Sequence, residues 1–471
     1  MKKYIAIDIG ASSGRHFAGW KGQEGLQFEE VYRFANGIIE KNGHLCWDID
    51  ALVENVKSGL KACKNKGIEP ESVGIDTWGC DFVLLDKDDR ILGDVVAYRD
   101  NRAQGFVEKV DSIISRKDLY HRTGIQTQVF NTIYQLMSIK ENSPELLEKA
   151  CSFLTVPDYL VFKLTGKKVN EYTNATTTGL VNTNTENWDY ELIDRLELPA
   201  KIFLNVSEPG KVVGNLLPEV AEEIGFDCQV VLPCSHDTGS AVAALPVLKS
   251  DLGANDYPLY ISSGTWSLLG TELKEAKKDE EALELNYTNE GGYDHSIRFL
   301  KNIMGLWMVQ SVKKELEKNT GSKIPFDQLD EDAKKATISS IVSCNDEVFL
   351  APKSMIGAIQ NFCKEHGMQV PETQGELIKV VYESLAQCYA DTILELQKML
   401  NCKFSTLNII GGGSKSTLLN EITQQKSGLK VITGPSEATA IGNCLVQMIS
   451  NGDFKNLEEA RSFVKKLVNN Q

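Results

Sequence analysis

Residues 4–20 read YIAIDIGASSGRHFAGW. An apolar run from Tyr4 to Ile9 is followed by a turn rich in Gly and Ser, and a second strand-like run begins at Arg15, which predicts a β-hairpin. The same pattern returns as LYISSGTWSLL at residues 259–269. Two halves that begin alike are typical of a duplicated domain, although two short hairpins with common turn residues could also match by chance.

The size of the chain favours two domains. Its 471 residues exceed the roughly 250–300 residues at which a single hydrophobic core stops growing. We place the boundary near residues 243–255, which gives a first domain at 1–245 and a second at 255–471. Strands and helices alternate along the chain, and residues 406–449 read as a βαβα unit, so the fold class is α/β. Residues 73–78 and 82–85 read as a further pair of strands.

The net charge of −15 argues against binding to nucleic acid, which needs clustered Lys and Arg. No stretch reaches the roughly 18 apolar residues of a membrane span, and an early Asp8 interrupts any signal-like segment. We therefore expect a soluble, cytoplasmic protein. The 11 cysteines show no paired spacing and are expected to be thiols, with no structural metal site.

Two common nucleotide-binding motifs are absent from the sequence. The nearest approach to a Walker P-loop, Gly413-Ser-Lys415-Ser416, has the wrong spacing, and no G-x-G-x-x-G follows a first strand. The turn from Asp8 to Arg15 is the alternative, because its glycines, hydroxyls and guanidinium suit a triphosphate. With the second turn at 262–265 and the glycines at 411–413, it predicts ATP bound across a cleft; the other interpretation is a plain hairpin.

Several sequence words together resemble the FGGY carbohydrate kinases, and the resemblance runs nearly from end to end. They are DIGASSGR at 8–15, GIDTWGCDFVLLD at 74–86, AYRDNR at 97–102, EYTNATTTGLV at 171–181, SHDTGSAV at 235–242, SSGTWSLLG at 262–270, TNEGG at 288–292, LKNIMGLW at 300–307 and GGG at 411–413. The resemblance implies two actin-like, ribonuclease H-like domains with a central cleft, and ATP with Mg²⁺ as cofactors. The tripeptide Ser414-Lys-Ser416 departs from the family pattern.

Within the family, the words IDTWG, NATTT and KNIMGLW resemble members that act on L-rhamnulose. The resemblance therefore implies phosphorylation of this ketose to L-rhamnulose 1-phosphate in L-rhamnose catabolism. The alternatives are a kinase for L-fuculose, D-xylulose or L-ribulose, and an actin-like ATPase that phosphorylates no small molecule. The sequence is compatible with a monomer or a homodimer and implies no nucleic acid or membrane partner.

The resemblance also assigns site residues. Asp237 matches the family's catalytic base and follows the strand-like run 229–232, but its surroundings fit a helix N-cap equally well. The residues implied for the sugar are Trp78, Gly79, His236, Asp237 and Thr238. Those implied for ATP are Ala11, Ser12, Ser13, Gly14, Arg15, Thr265, Asn302, Gln310, Gly411 and Gly412. Asp8 is expected to reach Mg²⁺ at most through water. The spacing of eight between Asn302 and Gln310 would suit one helix face, which fits a common ligand but equally fits an ordinary polar surface.

Overall fold

The structure, a computed structural model, describes residues 1–23, 25–253, 256–350 and 352–469. In chain order, its strands are β1 (Tyr4–Ile9), β2 (Ser13–Gly22), β3 (Gly25–Ala35), β4 (Ile38–Lys41), β5 (His44–Trp47), β6 (Ser72–Thr77), β7 (Phe82–Leu85), β8 (Ser152–Thr155), β9 (Asn170–Glu171), β10 (Val181–Asn182), β11 (Asn187–Trp188), β12 (Val206–Ser207), β13 (Val212–Asn215), β14 (Gln229–Val231), β15 (Leu259–Ser263), β16 (Trp266–Leu273), β17 (Thr288–Gly291), β18 (Ile297–Met304), β19 (Thr406–Ile410) and β20 (Lys430–Thr433).

The α-helices are α1 (Ile49–Asn65), α2 (Phe106–Asp111), α3 (Arg116–Thr123), α4 (Thr132–Asn142), α5 (Pro144–Lys149), α6 (Val156–Thr165), α7 (Tyr172–Ala175), α8 (Tyr190–Arg195), α9 (Pro218–Ile224), α10 (Asp237–Ala243), α11 (Glu280–Glu284), α12 (Trp307–Thr320), α13 (Phe326–Lys335), α14 (Met355–Glu365), α15 (Gln374–Leu400), α16 (Thr417–Ser427), α17 (Ala438–Ser450) and α18 (Leu457–Asn469). Short 3₁₀ segments lie at Asn101–Ala103, Thr176–Thr178, Ala200–Ile202, Lys249–Asp251, Tyr293–His295, Glu347–Phe349 and Gly412–Lys415. Among the helices described, none has the combination of length and hydropathy that crossing a membrane requires.

The chain divides into two compact units. The first contains Met1–Lys249, Glu272–Phe299 and the segment from Ala438 onwards, and the second contains Ser250–Thr271 and Leu300–Glu437. The C-terminal helices α17 and α18 thus belong to the first unit. The boundary predicted from the sequence, with domains at 1–245 and 255–471, stays a prediction about the family's domains.

The first unit is built on a sheet with the strand order β13-β14-β6-β1-β2-β3. The hairpin β1–β2 and the pair β2–β3 are antiparallel, whereas β1, β6 and β14 run parallel to one another. The predicted hairpin after residue 4 is therefore confirmed. The two strands predicted at 73–78 and 82–85 are confirmed as β6 and β7, but they do not pair with each other, because β6 lies between β1 and β14 and has no free edge, and β7 pairs with β8.

Helix α17 lies against this sheet at unusually short range. The side-chain amide of Gln447 donates to the carbonyl of Ile5 at 3.0 Å and its oxygen accepts from the hydroxyl of Ser72 at 2.8 Å. A Cβ on Gly74 would lie 2.6 Å from Oδ1 of Asn443, and one on Gly442 would lie 1.7 Å from a backbone oxygen of α10. Only glycine permits this approach, which brings polar helix residues into the core.

The second unit repeats the opening of the first. Strands β15 and β16 form an antiparallel hairpin, and β15, β19 and β20 run parallel. The predicted second hairpin and the terminal order strand, helix, strand, helix (β19, α16, β20, α17) are confirmed. The long helix α15 packs beside α13 and α16, and it begins with a capping box formed by Thr373 and Glu376.

Candidate active site

The carboxyl ends of β1, β6 and β14 meet at one edge of the first unit's sheet. Asp8 on β1 is in register with Asp76 on β6 and, across the hairpin, with Arg15 on β2, so the three side chains share one face. The amide of Thr77 donates to the carbonyl of Ser235 at 2.9 Å, which brings the segment after β14 to the same edge. Ligands of parallel α/β sheets bind at such edges.

The turn of the first hairpin is closed by its own backbone. The amide of Gly10 donates to the carbonyl of Ser13 at 2.9 Å, and the side-chain amide of Asn36 donates to the carbonyl of Gly10 at 2.9 Å. Arg15 Nη2 forms an ion pair with Asp8 Oδ2 at 2.9 Å. The predicted phosphate residues Ala11 to Arg15 therefore lie together on one ordered turn, with Asp8 beside them.

Asp76 is a site residue that the sequence analysis missed. It is fully buried, its Oδ2 accepts from Nδ2 of Asn443 at 2.5 Å, and its Oδ1 has no hydrogen-bond partner among the described residues. Burial and the nearby charges of Asp8 and Asp237 raise the pKa of Asp76 well above its ordinary value, although the bond from Asn443 opposes them. The signal available in the sequence was the dipeptide Ile-Asp, which ends the apolar runs at both 7–8 and 75–76.

Asp237 is the first residue of helix α10, and the N-cap position is occupied by His236 instead. Oδ1 of Asp237 accepts from the amide of Thr238 at 2.5 Å and from its hydroxyl at 3.2 Å. The side chain is 33% exposed. Asp237 therefore does not cap α10 as the alternative interpretation expected, and it presents a carboxylate at the sheet edge.

A buried ionic cluster contacts the Nδ1 side of the His236 ring. Nη2 of Arg298 donates to Nδ1 of His236 at 3.1 Å, Nη1 of Arg298 lies 3.1 Å from the Glu290 carboxylate, and Nε2 of His236 lies 3.5 Å from Oδ1 of Asp237. Burial acts to raise the pKa of Glu290, but the charge of Arg298 opposes it and the pKa lies below its ordinary value. Glu290 belongs to the TNEGG word.

Glu171, from the EYTNATTTGLV word, supports the loop that carries His236. Its buried carboxylate accepts from the amide and hydroxyl of Ser235, at 3.1 and 2.6 Å, and from the amides of Thr173 and Asn174. Nδ2 of Asn174 in turn donates to the carbonyl of Trp78 at 3.3 Å. This motif thus links the segment around Trp78 with the segment around His236, the two segments that the resemblance assigned to the sugar.

Trp78 stands in an aromatic wall with Trp47. The two rings have centroids 4.1 Å apart, and Oδ2 of Asp81 accepts from the indole N–H of Trp47 at 2.6 Å and of Trp78 at 2.9 Å. A Cβ on the neighbouring Gly79 would lie 2.9 Å from the hydroxyl of Thr177, so only glycine fits there. Asp81 and Trp47 had no role in the sequence analysis.

The second unit brings its two predicted nucleotide segments together. The amide of Gly264 donates to the carbonyl of Trp266 at 2.8 Å, which closes the turn before Thr265. A Cβ on Gly413 would lie 1.9 Å from Oγ of Ser263, so the glycine loop at 411–413 packs directly on this turn. The amide of Trp307 donates to the carbonyl of Thr265 at 3.1 Å, which adds the end of the LKNIMGLW word.

Asn302 and Gln310 do not share a helix face, so that interpretation of their spacing is wrong. Asn302 lies within strand β18, whereas Gln310 is an exposed residue of helix α12. The eight-residue spacing suggested one helix, but the apolar run Ile297–Met304 forms a strand and the helix begins only at Trp307. Their contact with the nucleotide stays a prediction.

Comparisons with known proteins agree with this architecture. Residues 3–244 match the model of the FGGY family of carbohydrate kinases, N-terminal domain, and residues 259–451 match the C-terminal domain of the same family. A protein of Oceanobacillus iheyensis named rhamnulokinase is 48% identical over 461 residues, covering 98% of this chain and 96% of the relative. A Bacillus subtilis protein of the same name is 43% identical, with 98% and 93% covered.

Solved structures show the same fold at low sequence identity. A ligand-bound xylulose kinase from Lactobacillus acidophilus superimposes with a TM-score of 0.79 at 19% identity, covering 98% of this chain and 92% of that one. Plasmodium falciparum glycerol kinase with ADP gives a TM-score of 0.75 at 14% identity, with 99% and 92% covered. The predicted α/β kinase fold is therefore confirmed.

Proposed function

Because this chain belongs to the FGGY family of carbohydrate kinases, we propose that it transfers the γ-phosphoryl group of ATP to the 1-hydroxyl of L-rhamnulose, forming ADP and L-rhamnulose 1-phosphate. The observation that carries the proposal is the identity of 48% and 43% to proteins named rhamnulokinase over nearly the full chain. The reaction is expected in the cytoplasm, in a monomer or homodimer.

Asp237 acts as the general base in this proposal. Its Oδ1 is engaged by Thr238, while no hydrogen bond from the described residues reaches Oδ2. Oδ2 accepts the proton of the 1-hydroxyl as the sugar oxygen attacks the γ-phosphorus and the bond to the β-phosphate oxygen breaks, releasing ADP. Trp78, Gly79, His236 and Thr238 contact the sugar.

In the first unit we assign the turn at 11–15 to phosphate binding. In the second unit we assign Thr265 to phosphate binding, and Asn302, Gln310, Gly411 and Gly412 to the nucleoside. Mg²⁺ bound with ATP neutralises phosphate charge and orients the transferred group. The site suits a hard cation, because Asp8 and Asp76 place carboxylates side by side and Oδ1 of Asp76 is an unsatisfied acceptor. Asp8 would hold the ion through a water molecule.

The test is ADP release with Mg²⁺ and ATP in the presence of L-rhamnulose, L-fuculose, D-xylulose or L-ribulose. We expect a clear preference for L-rhamnulose and a product phosphorylated at the 1-hydroxyl by ³¹P NMR. Preference for another ketose would refute the substrate assignment and retain the kinase. ADP release that no ketose stimulates would refute the kinase itself and favour a plain ATPase.

The role of Asp237 is tested by Asp237→Asn, which keeps the shape of the side chain and removes the base. We expect turnover to fall by roughly 10²–10⁴-fold, with ATP affinity and thermal stability retained. The matched control is Asp227→Asn, because Asp227 is exposed and lies at the other end of strand β14, which Asp237 follows. Loss of folding in Asp237→Asn, or turnover equal to that of the control, would contradict the assignment.

A further inference from the structure

The buried ionic cluster on the Nδ1 side of His236 contains an arginine that is held at three points. Arg298 is fully buried; its Nε donates to the carbonyl of Gly291 at 2.8 Å, its Nη1 faces Glu290, and its Nη2 donates to Nδ1 of His236 at 3.1 Å. A planar guanidinium bound in this way has no freedom to turn. Its contact with His236 therefore has a fixed direction.

That direction determines which nitrogen of His236 carries the hydrogen. The N–H of Arg298 points at Nδ1, which must accept with its lone pair because a guanidinium only donates. The Glu290 carboxylate lies 3.3 Å from Nδ1, but its Oε2 has no hydrogen-bond partner among the described residues, so it acts as a counter-charge to Arg298. With Nδ1 as the acceptor, a neutral imidazole carries its hydrogen on Nε2.

Nε2 faces the proposed base. It lies 3.5 Å from Oδ1 of Asp237, the same oxygen that accepts from the amide and hydroxyl of Thr238. The two hydrogen bonds from Thr238 hold this oxygen, the ring of His236 lies against it at 3.5 Å, and Oδ2 is left for the substrate. A His236 with the other tautomer would turn a lone pair towards Oδ1 and repel it.

We propose that Arg298 and Glu290 are positioning residues: they hold His236 as the Nε2–H tautomer, which orients Asp237 for proton abstraction from the sugar hydroxyl. The inference rests on the proposed function, since it assigns a purpose to the base proposed there. A role in stability alone explains the cluster less well. Burying an ion pair carries a large desolvation penalty, and a protein with apolar residues of similar volume in its place is often as stable.

The tautomer can be measured without turnover. In protein labelled with ¹⁵N-histidine, the ring resonances of His236 are assigned among the six histidines by their loss in His236→Gln. We expect a protonated nitrogen at Nε2 and a lone-pair nitrogen at Nδ1, and a mixture of tautomers in Arg298→Met. A hydrogen on Nδ1 in the wild type, or a pattern that Arg298→Met leaves unchanged, would overturn the proposal.

A double-mutant cycle tests the catalytic consequence. The side-chain amide of His236→Gln presents an N–H near the Nε2 position and has no tautomers. We expect Arg298→Met to lower kcat for the ketose by roughly 10–100-fold in the wild-type background and by less than about threefold in His236→Gln, with the KM for ATP unchanged in both. Equal losses in the two backgrounds would show a merely structural role and refute the proposal.

If Arg298→Met does not fold, Glu290→Met with Arg298→Met replaces it, since removing both charges leaves no unpaired ion. The matched control is Arg122→Met, because Arg122 also pairs with a buried carboxylate, Asp189 at 3.0 Å, and contacts no proposed site residue. Its kcat is expected to stay within about twofold of the wild type. A wild type inactive on every ketose refutes the proposed function, whereas the NMR result tests the tautomer independently.

Discussion

The contact between Asp81 and the two tryptophans gives a quantitative prediction about the aromatic wall. Oδ2 of Asp81 accepts from Trp47, from Trp78 and from the amide of Tyr98 at 3.0 Å, and Oδ1 accepts from Nε2 of Gln135 at 3.3 Å. Burial raises the pKa of Asp81, and these donors oppose that rise. The substitution of interest is Asp81→Asn, with Asp81→Leu as the more severe form.

The magnitude follows from the count of donors. Asparagine retains one acceptor oxygen at the Oδ2 position but loses the charge, and a bond to a charged group contributes about 1 kcal/mol more than a neutral one. Three bonds weakened by this amount cost about 3 kcal/mol, of which the relief of burying a charge offsets about 1. Asp81→Leu leaves three buried N–H groups without an acceptor, at about 1–3 kcal/mol each.

The assay combines urea unfolding with steady-state kinetics. We expect Asp81→Asn to lose about 2 kcal/mol of unfolding free energy and Asp81→Leu more than about 4, with a KM for the ketose raised on the order of tenfold and the KM for ATP unchanged. Trp47→Phe is the control, because it removes one donor and leaves the bond to Trp78. Destabilisation with an unchanged KM for the ketose would refute the reasoning that Asp81 positions the aromatic wall of Trp47 and Trp78 against the sugar.

Two further predictions concern stability and the nucleotide side. Burial raises the pKa of Asp158 from 3.8 to about 7, so its stabilising contribution is complete below about pH 4 and is lost as the pH rises from there through 7. The wild type should therefore lose about 3 kcal/mol of unfolding free energy between pH 5 and pH 8, and Asp158→Asn should remove this loss, measured by urea unfolding at the two pH values. A flat difference between variant and wild type over that range would contradict the assignment. Gly413→Ala, whose Cβ would lie 1.9 Å from Oγ of Ser263, should raise the KM for ATP on the order of tenfold, whereas Gly37→Ala, with no atom within 4 Å, should not.

The two hairpins could be predicted from the sequence because their determinants are local. An apolar run, a turn of small residues and a second apolar run specify β1–β2 and β15–β16 without help from distant residues. The word around His236 was identified by resemblance, which also carried the assignment of Asp237. The structure shows that Asp237 is the first residue of helix α10 and not its N-cap, a choice that composition alone left open.

The residues that sequence analysis missed are those whose roles depend on distant parts of the chain. The role of Asp76 depends on its register with Asp8, 68 positions earlier in the chain, and on its hydrogen bond from Asn443, 367 positions later. Arg298 lies 62 positions from His236, and nothing in its neighbours along the chain indicates the contact. The assignment of Asn302 to a helix failed for the same reason, because strand pairing within a sheet overrides the local spacing.

Three carboxylates at one sheet edge repel one another, and a different partner stabilises each of them. Asp8 is paired with Arg15, Asp76 is bonded to Asn443, and Asp237 is held by Thr238. None of these partners removes the repulsion, since the charges of Asp8 and Asp237 still add to burial in raising the pKa of Asp76. The edge therefore carries a negative field before any ligand binds, and this field would stabilise the cation that we propose binds with the nucleotide, which is the electrostatic preorganisation that phosphoryl transfer needs.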